Sequence, residues 1–97
     1  MNLSTHTVIR KTQGHFVSAL GDTLVILNRA DTKYYTVNEV GKLLWDSLDT
    51  PHTVDDLCAI VQSEYEVERA ECEGDVLAFV ERFIGVGLFE QVDTTSG

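Results

Sequence analysis

The chain of 97 residues has little of several features that mark common classes of protein. It contains one proline, and no apolar run approaches the roughly 18 to 20 residues that a membrane-spanning helix needs. The N-terminal sequence MNLSTHTVIRKTQGH lacks the apolar centre of a signal peptide. We therefore expect a cytoplasmic protein with no membrane partner.

Residues that bind metals are few and scattered. Cys58 and Cys72 stand apart without a CxxC pair, and each falls in a helical pattern where a small buried thiol is common. His6, His15 and His52 belong to different segments and form no HExxH motif. The sequence therefore predicts that neither a metal nor a small cofactor is required.

Catalytic motifs are also missing. The glycines form neither GxGxxG nor a P-loop, because Gly85-Val-Gly87 ends a predicted helix where a phosphate site would open one. The many carboxylates recur at helical spacing without a polar partner set that would mark a general acid or base. We expect a protein that is not an enzyme.

The formal charge of −9 is distributed unevenly. Residues 1–54 hold five acids against five bases, whereas residues 55–97 hold eleven acids against Arg69 and Arg82. A field of this sign repels phosphate backbones and attracts basic partners. Nucleic acid is therefore not expected as a ligand, and an acidic face that serves only solubility stays open as an alternative.

Three short segments in succession have the composition of β-strands. His15–Leu20 (HFVSAL) is followed by the turn Gly21-Asp22, and Thr23–Asn28 (TLVILN) is apolar nearly throughout. After the connection Arg29–Thr32, the aromatic and β-branched segment Lys33–Val37 (KYYTV) completes the set. Consecutive strands with short connections predict a three-stranded antiparallel sheet.

From Asn38 onward the apolar residues recur at helical spacing. The first predicted helix begins at Asn38 as N-cap, and the second begins at Thr53, which forms a capping-box pattern with Asp56. The third runs from about Ala70 to Val86, with Gly87 at its C-cap. Three strands followed by three helices is the segregated order of an α+β domain, which is the predicted fold class.

The length and composition allow one modest hydrophobic core, which we place in residues 15–90. Residues 1–14 show no sustained periodicity, so we expect a flexible N-terminal arm. Residues 91–97 have the composition of a disordered tail.

The third predicted strand has one side that no other predicted strand covers. Its backbone N–H and C=O groups will template another strand unless charge, proline or a bulge blocks them. Lys33–Val37 carries one lysine at its end and no proline. The sequence thus predicts a weakly protected sheet edge.

The third predicted helix carries an apolar stripe that is wider than a small core needs. Its expected core face consists of Val76, Phe79, Val80 and Phe83. Leu77 and Ile84 lie beside this face, flanked by Glu73 and Glu81, and we predict that they form a groove wall. A helix that is buried more deeply than expected is the alternative that the pattern leaves open.

Three segments, in the order in which they occur along the chain, together resemble the PqqD-like family. They are LVILNRADTKYYTVNEVGKLLWDSL, HTVDDLCAIVQSEY and DVLAFVERFIGVGLFE. Members of this family are the recognition elements of ribosomally synthesised, modified peptides. The resemblance runs from about His15 to Phe89. It departs from the family pattern at Val37, where leucine is frequent, and at Gly41, where alanine is usual.

The resemblance implies a winged-helix-like fold and a non-enzymatic function, which is to bind the leader segment of a precursor peptide. In the family the leader adds as an extra strand to the third strand and lies against the third helix. Mapped onto this chain, the peptide contacts would be Lys33, Tyr34, Tyr35, Thr36, Val37, Glu73, Val76, Leu77, Val80, Glu81 and Ile84. The implied partners are the precursor peptide and a maturation enzyme, with a lasso-type leader peptidase favoured over a radical enzyme served by a PqqD-type chaperone.

Two other function classes stay open at this stage. A winged-helix DNA-binding regulator needs a basic recognition helix, whereas the third helix carries Glu71, Glu73, Asp75 and Glu81 against Arg82. An enzyme subunit that needs a partner to complete its site is the other alternative.

Overall fold

The computed structural model describes residues 3–92. Its strands and helices, in chain order, are β1 (Val8–Lys11), β2 (His15–Leu20), β3 (Thr23–Asn28), β4 (Lys33–Val37), α1 (Glu39–Ser47), β5 (His52–Thr53), α2 (Val54–Glu64), α3 (Arg69–Gly85) and β6 (Phe89–Gln91). The three predicted strands and three predicted helices are all confirmed within one or two residues of their expected bounds. The α+β class is confirmed as well, while the likeness to winged-helix proteins stays a prediction.

The larger sheet has the strand order β2-β3-β4, with both pairs antiparallel. The β2–β3 turn contains only Gly21 and Asp22, and Gly21 has φ +63°, a left-handed conformation that glycine adopts without a steric penalty. In β3, burial alternates strictly, with Leu24, Ile26 and Asn28 facing the core. The sheet therefore has one face against the helices and one face towards solvent.

A second sheet, with the order β5-β1-β6, corrects the prediction of a flexible N-terminal arm. β1 lies within residues 1–14, and its Ile9 is fully buried. It pairs with β5 and with β6, whose residues lie far along the chain. Such non-local pairing leaves no periodic signal in a four-residue segment. Of the predicted tail, Gln91 belongs to β6, and residues 93–97 lie outside the described part of the chain.

The helix ends follow the predicted capping chemistry. The side chain of Asn38 accepts from the N–H of Gly41 at 2.9 Å, and Thr53 and Asp56 form a complete capping box. At the end of α3, Gly87 has φ +85°, and the N–H of Leu88 donates to the C=O of Phe83 at 2.9 Å. This left-handed turn sends the chain back across the core into β6.

The core lies between the larger sheet and the three helices. Its centre is a cluster of aromatic rings in which Phe83 lies 4.5 Å from Phe79, 5.1 Å from Phe89 and 6.2 Å from Trp45. Cys58 and Cys72 are buried between α2 and α3, as predicted, and burial raises the pKa of Cys58 to about 11. In residues 3–92, no helix combines the length and the apolar character that crossing a bilayer would demand.

Candidate functional site

The outer edge of β4 is open. Within residues 3–92, β4 pairs with β3 and with no second strand. Successive residues of a strand direct their backbone groups to opposite sides. Because Arg29 donates its N–H to Gly14 on the β2 side, Asn28 bonds towards β4, where it pairs with Lys33. The N–H and C=O groups of Tyr34 and Thr36 therefore point away from the sheet.

Tyr35 fixes this edge beside α3. Its hydroxyl donates to Asp31 at 2.5 Å, and its ring lies edge-on to Phe83 at 6.3 Å. The hydrogen bond from Tyr35 lowers the pKa of Asp31, and the same bond raises the pKa of Tyr35. One aromatic side chain thus connects the β3–β4 turn, the edge strand and the helix.

The end of β4, the start of α1 and the side of α3 converge at Gly41. A Cβ atom added there would lie 2.8 Å from the Cβ of Val37 and 3.3 Å from Cε1 of Phe79. The first distance is shorter than carbon atoms tolerate, so only glycine allows this close approach without a shift. The aromatic ring of Phe79 is therefore held next to the C-terminal end of β4.

A cavity of about 370 Å³ opens beside Phe79. Its lining, mostly apolar, consists of Asn38, Val40, Gly41, Leu44, Val61, Tyr65, Val67, Cys72, Asp75, Val76 and Phe79. A volume of this size lies in the range of small ligand pockets and can hold one large apolar side chain of a peptide. A smaller cavity of about 300 Å³ shares Tyr65 with it and is rich in carboxylates.

The predicted strand contacts lie where the sequence placed them, with unequal exposure. Lys33, Tyr34 and Thr36 are exposed, Tyr35 is half-buried, and Val37 is buried at 5%. The backbone groups of Tyr34 and Thr36 form the open edge, so the predicted weakly protected strand is present. Whether a peptide contacts these residues stays a prediction.

The predicted helix contacts differ in burial. Val80 is fully buried in the core, so its side chain offers no surface to a ligand. Val76 is 2% exposed, and it also belongs to the lining of the larger cavity, so a peptide contact there stays a prediction. Both valines lie at the centre of the buried stripe of α3, together with Cys72 and Phe83. Sequence periodicity placed them correctly on the apolar face but could not separate the centre of that face from its edges.

The other four predicted helix residues lie on the far side of the buried stripe from Phe79. Leu77 precedes Phe79 by two residues, which places it about 160° around the helix axis. Ile84 and Glu81 follow the same far side, and Glu73 accepts from Nε of Arg69 at 2.7 Å. The lining of the larger cavity includes none of the four. None of the four therefore shares the flank of α3 that carries Phe79, and a peptide contact at these residues stays a prediction.

Phe79 was missed as a candidate because its spacing assigned it to the core. It is half-buried, at the border of the core and the cavity, with Asp75 one turn before it and the exposed Arg82 nearly one turn after it. The spacing of 75, 79 and 82 places these three side chains on one flank of α3. This spacing was available in the sequence, but the flank that faces β4 is set by packing.

The described residues provide no arrangement for metal chemistry. In residues 3–92, no group of three or more His, Cys, Asp or Glu side chains is placed to hold a metal ion. What the site offers is an unpaired row of backbone donors and acceptors next to an apolar cavity. That combination suits an extended peptide.

Two solved structures are similar to this chain over most of their length. One is described as TbiB1 in complex with the TbiA(beta) leader peptide, with a TM-score of 0.77 and 21% identity over 84% of this chain and 94% of that one. The other is described as lasso peptide synthetase B1 complexed with the leader peptide, with a TM-score of 0.73 and 28% identity over 84% of this chain and 96% of that one. No curated protein matches the chain.

A family model gives the assignment from sequence. The model for PqqD, coenzyme PQQ synthesis protein D, matches residues 23–88. This range begins at β3 and ends after α3, so it contains the open edge, the cavity and the helix flank that faces them. The chain belongs to the PqqD family.

Proposed function

We propose that this protein binds the leader segment of a ribosomally made precursor peptide by adding the leader as a strand to β4, beside the Phe79 flank of α3. The observation that carries the proposal is the open edge of β4 next to a cavity of about 370 Å³. Further support comes from the two similar structures, both of which are described as complexes with leader peptides.

In this kind of binding, backbone hydrogen bonds provide affinity and side-chain contacts provide specificity. The outward backbone groups of Tyr34 and Thr36 supply hydrogen bonds that any extended sequence can use. Side chains of an added strand alternate between the two faces of the sheet, so every second leader residue points towards α3. An apolar residue at the position next to Phe79 enters the cavity and selects the sequence. Asp75 lies at the same cavity and favours a basic residue beside it.

The bound leader is presented to a maturation enzyme, for which we favour a leader peptidase of the lasso type. This choice is supported by the similar structure described as lasso peptide synthetase B1. The alternative, a peptide chaperone for a radical maturation enzyme, is supported by the family description, which refers to coenzyme PQQ synthesis. The protein itself performs no chemistry in either role. A DNA-binding function is disfavoured by the acidic α3.

Hydrogen exchange tests whether the leader binds at β4, because the outward and inward amides of this one strand can be compared. When the leader is added, the amides of Tyr34 and Thr36 should exchange more slowly, because they gain partners only from the added strand. The amides of Tyr35 and Val37 already bond to β3 and serve as internal controls. Protection that appears elsewhere while Tyr34 and Thr36 stay unchanged would exclude this edge.

The maturation partner is tested separately. Cleavage of the precursor by a leader peptidase of the lasso type should accelerate when this protein is added and should slow again when β4 carries Tyr34→Pro, which removes one outward N–H. Leader binding without any effect on cleavage would retain the recognition function and reject the peptidase as partner. An effect on a radical enzyme instead would favour the alternative.

A further inference from the structure

β2 forms the second edge of the larger sheet, and it is less protected than β4. Edge strands of native proteins are usually blunted by lysine, proline or a bulge. β2 has none of these, since its six residues, HFVSAL, contain no charged side chain and no proline. Phe16 and Leu20 on its outer face are 60% and 66% exposed. Within residues 3–92, β2 pairs with β3 and with no second strand.

The unused backbone groups of β2 can be assigned from the same alternation that applies to β4. Gly14 accepts the N–H of Arg29 from the β3 side, so even-numbered positions of β2 bond towards β3. His15, Val17 and Ala19 therefore point their N–H and C=O groups outward. Three consecutive pairs of this kind are enough for a short antiparallel ladder.

The side-chain pattern of β2 is complementary to itself. If a second copy of β2 pairs with it in the antiparallel direction, with Ser18 on the two-fold axis, Phe16 lies opposite Leu20 of the second copy. On the other face, Val17 lies opposite Ala19 of the second copy. Both exposed apolar side chains of the outer face are thereby covered, and each interacts with a cross-strand neighbour.

The charge distribution also favours a second copy at this edge. The net charge of −9 arises entirely from residues 55–97, whereas the six residues of β2 contain no acidic or basic side chain, so pairing along β2 opposes no like charges within the strand itself. The guanidinium of Arg29 lies 5.5 Å from the centre of the Phe16 ring, over the outer face of β2. The same pairing brings Gly14, whose C=O accepts from the N–H of Arg29, opposite Asp22 of the second copy. Arg29 and this Asp22, which carry opposite charges, therefore lie on either side of Gly14 at each end of the interface.

We propose that two copies of this chain pair through β2 to form a continuous six-stranded sheet, with both β4 edges at its outer ends. This assembly leaves each β4 edge accessible, so it is independent of the function proposed above. It assigns the two edges of one sheet to two different partners.

Light scattering over a range of protein concentrations tests the assembly. The expected mass is twice the 10.8 kDa of the chain. Ser18→Lys places two like charges opposite each other on the axis and should return the mass to that of one chain. Thr36→Lys is the matched control, because Thr36 is an exposed outer-face residue of the other edge, and it should leave the dimer intact. A single-chain mass at every concentration, or a dimer that Ser18→Lys does not change, would overturn the proposal.

Cross-linking tests the register. Ser18→Cys should form a disulfide between two chains under mild oxidation, since residues opposite each other on the axis have Cβ atoms about 4.5 to 5.5 Å apart. Thr36→Cys should stay single-chain, and the native thiols of Cys58 and Cys72 are buried. Equal cross-linking at both positions would contradict the register. Dissociation of the dimer by the leader would assign β2 to the leader instead, whereas leader binding by a single-chain protein would refute the dimer alone.

Discussion

The two flanks of α3 carry apolar side chains beside the same buried stripe, yet they face different surroundings. The flank with Phe79 meets the end of β4 and the start of α1, and the larger cavity opens there. The flank with Leu77 and Ile84 packs partly against the core on the other side of the helix. The width of an apolar stripe therefore indicates that a helix has a spare edge, but not which edge can receive a ligand.

The largest expected effect comes from the stripe that supports both flanks. Phe83 is fully buried and lies against the rings of Tyr35, Trp45, Phe79 and Phe89. Phe83→Ala should lower the free energy of unfolding by about 3 to 5 kcal/mol, because it leaves a large cavity among these rings. Urea denaturation followed by tryptophan fluorescence measures this. A loss below about 1 kcal/mol would mean that the aromatic cluster does not hold the two flanks together.

Phe79→Ala and Leu77→Ala compare the flanks directly. Phe79→Ala should weaken leader binding by roughly 1 to 3 kcal/mol, which is the scale of losing one apolar anchor. Leu77→Ala should leave the affinity for the leader unchanged, and it should lower the free energy of unfolding by less than Phe83→Ala does. Isothermal titration with the leader, together with the melting temperature of each variant, separates the two effects. The reverse result would restore the groove wall predicted from the sequence.

Gly41→Ala tests the Phe79 flank of α3 by a change in α1. The added Cβ crowds Val37 and Phe79, and overpacking of this kind costs about 1 to 3 kcal/mol. The higher helix propensity of alanine offsets about 1 kcal/mol of that cost. We expect a net loss of stability and, because Phe79 is displaced, a weaker affinity for the leader. A variant with increased stability and normal affinity would show that Val37 and Phe79 leave more space at Gly41 than the distances indicate.

The smallest expected effect concerns the acids on the two flanks. With a basic leader at low salt, Asp75→Asn should reduce the affinity by about 0.5 to 1 kcal/mol, as is usual for exposed ion pairs. Glu81→Gln removes the same charge from the opposite flank and is the matched control. Equal losses would indicate that only the overall charge attracts the peptide. In that case, the position of Asp75 at the cavity would carry no specificity.

Local signals predicted most of the fold. The capping residues Asn38 and Thr53 and the left-handed Gly87 act within a few positions along the chain, so their patterns are readable directly. β1 could not be found in this way, because a four-residue strand is stabilised by partners near residues 52 and 90. Residues 1–14 therefore lack periodicity although Ile9 is part of the core.

In the candidate site as well, one feature was predictable from local sequence and another was not. The open edge of β4 was predictable, because the last strand of a meander has a free side and Lys33–Val37 carries little protection. The choice of Phe79 over Leu77 was not predictable, since both border the buried stripe. That choice depends on the rotation of α3 about its axis, which the contacts of Tyr35 with Phe83 and of Gly41 with Phe79 fix.

The sequence by itself determined the α+β order, the helix ends, the uncharged β2 and the acidic second half, because each depends on residue type and local spacing. Only the tertiary structure decided that residues 8–11 join a second sheet and that Val76 and Val80 are buried. It also decided that Phe79 lies at the cavity. These outcomes depend on the free energy of packing distant segments together, which is a property of the whole chain and not of any window along it.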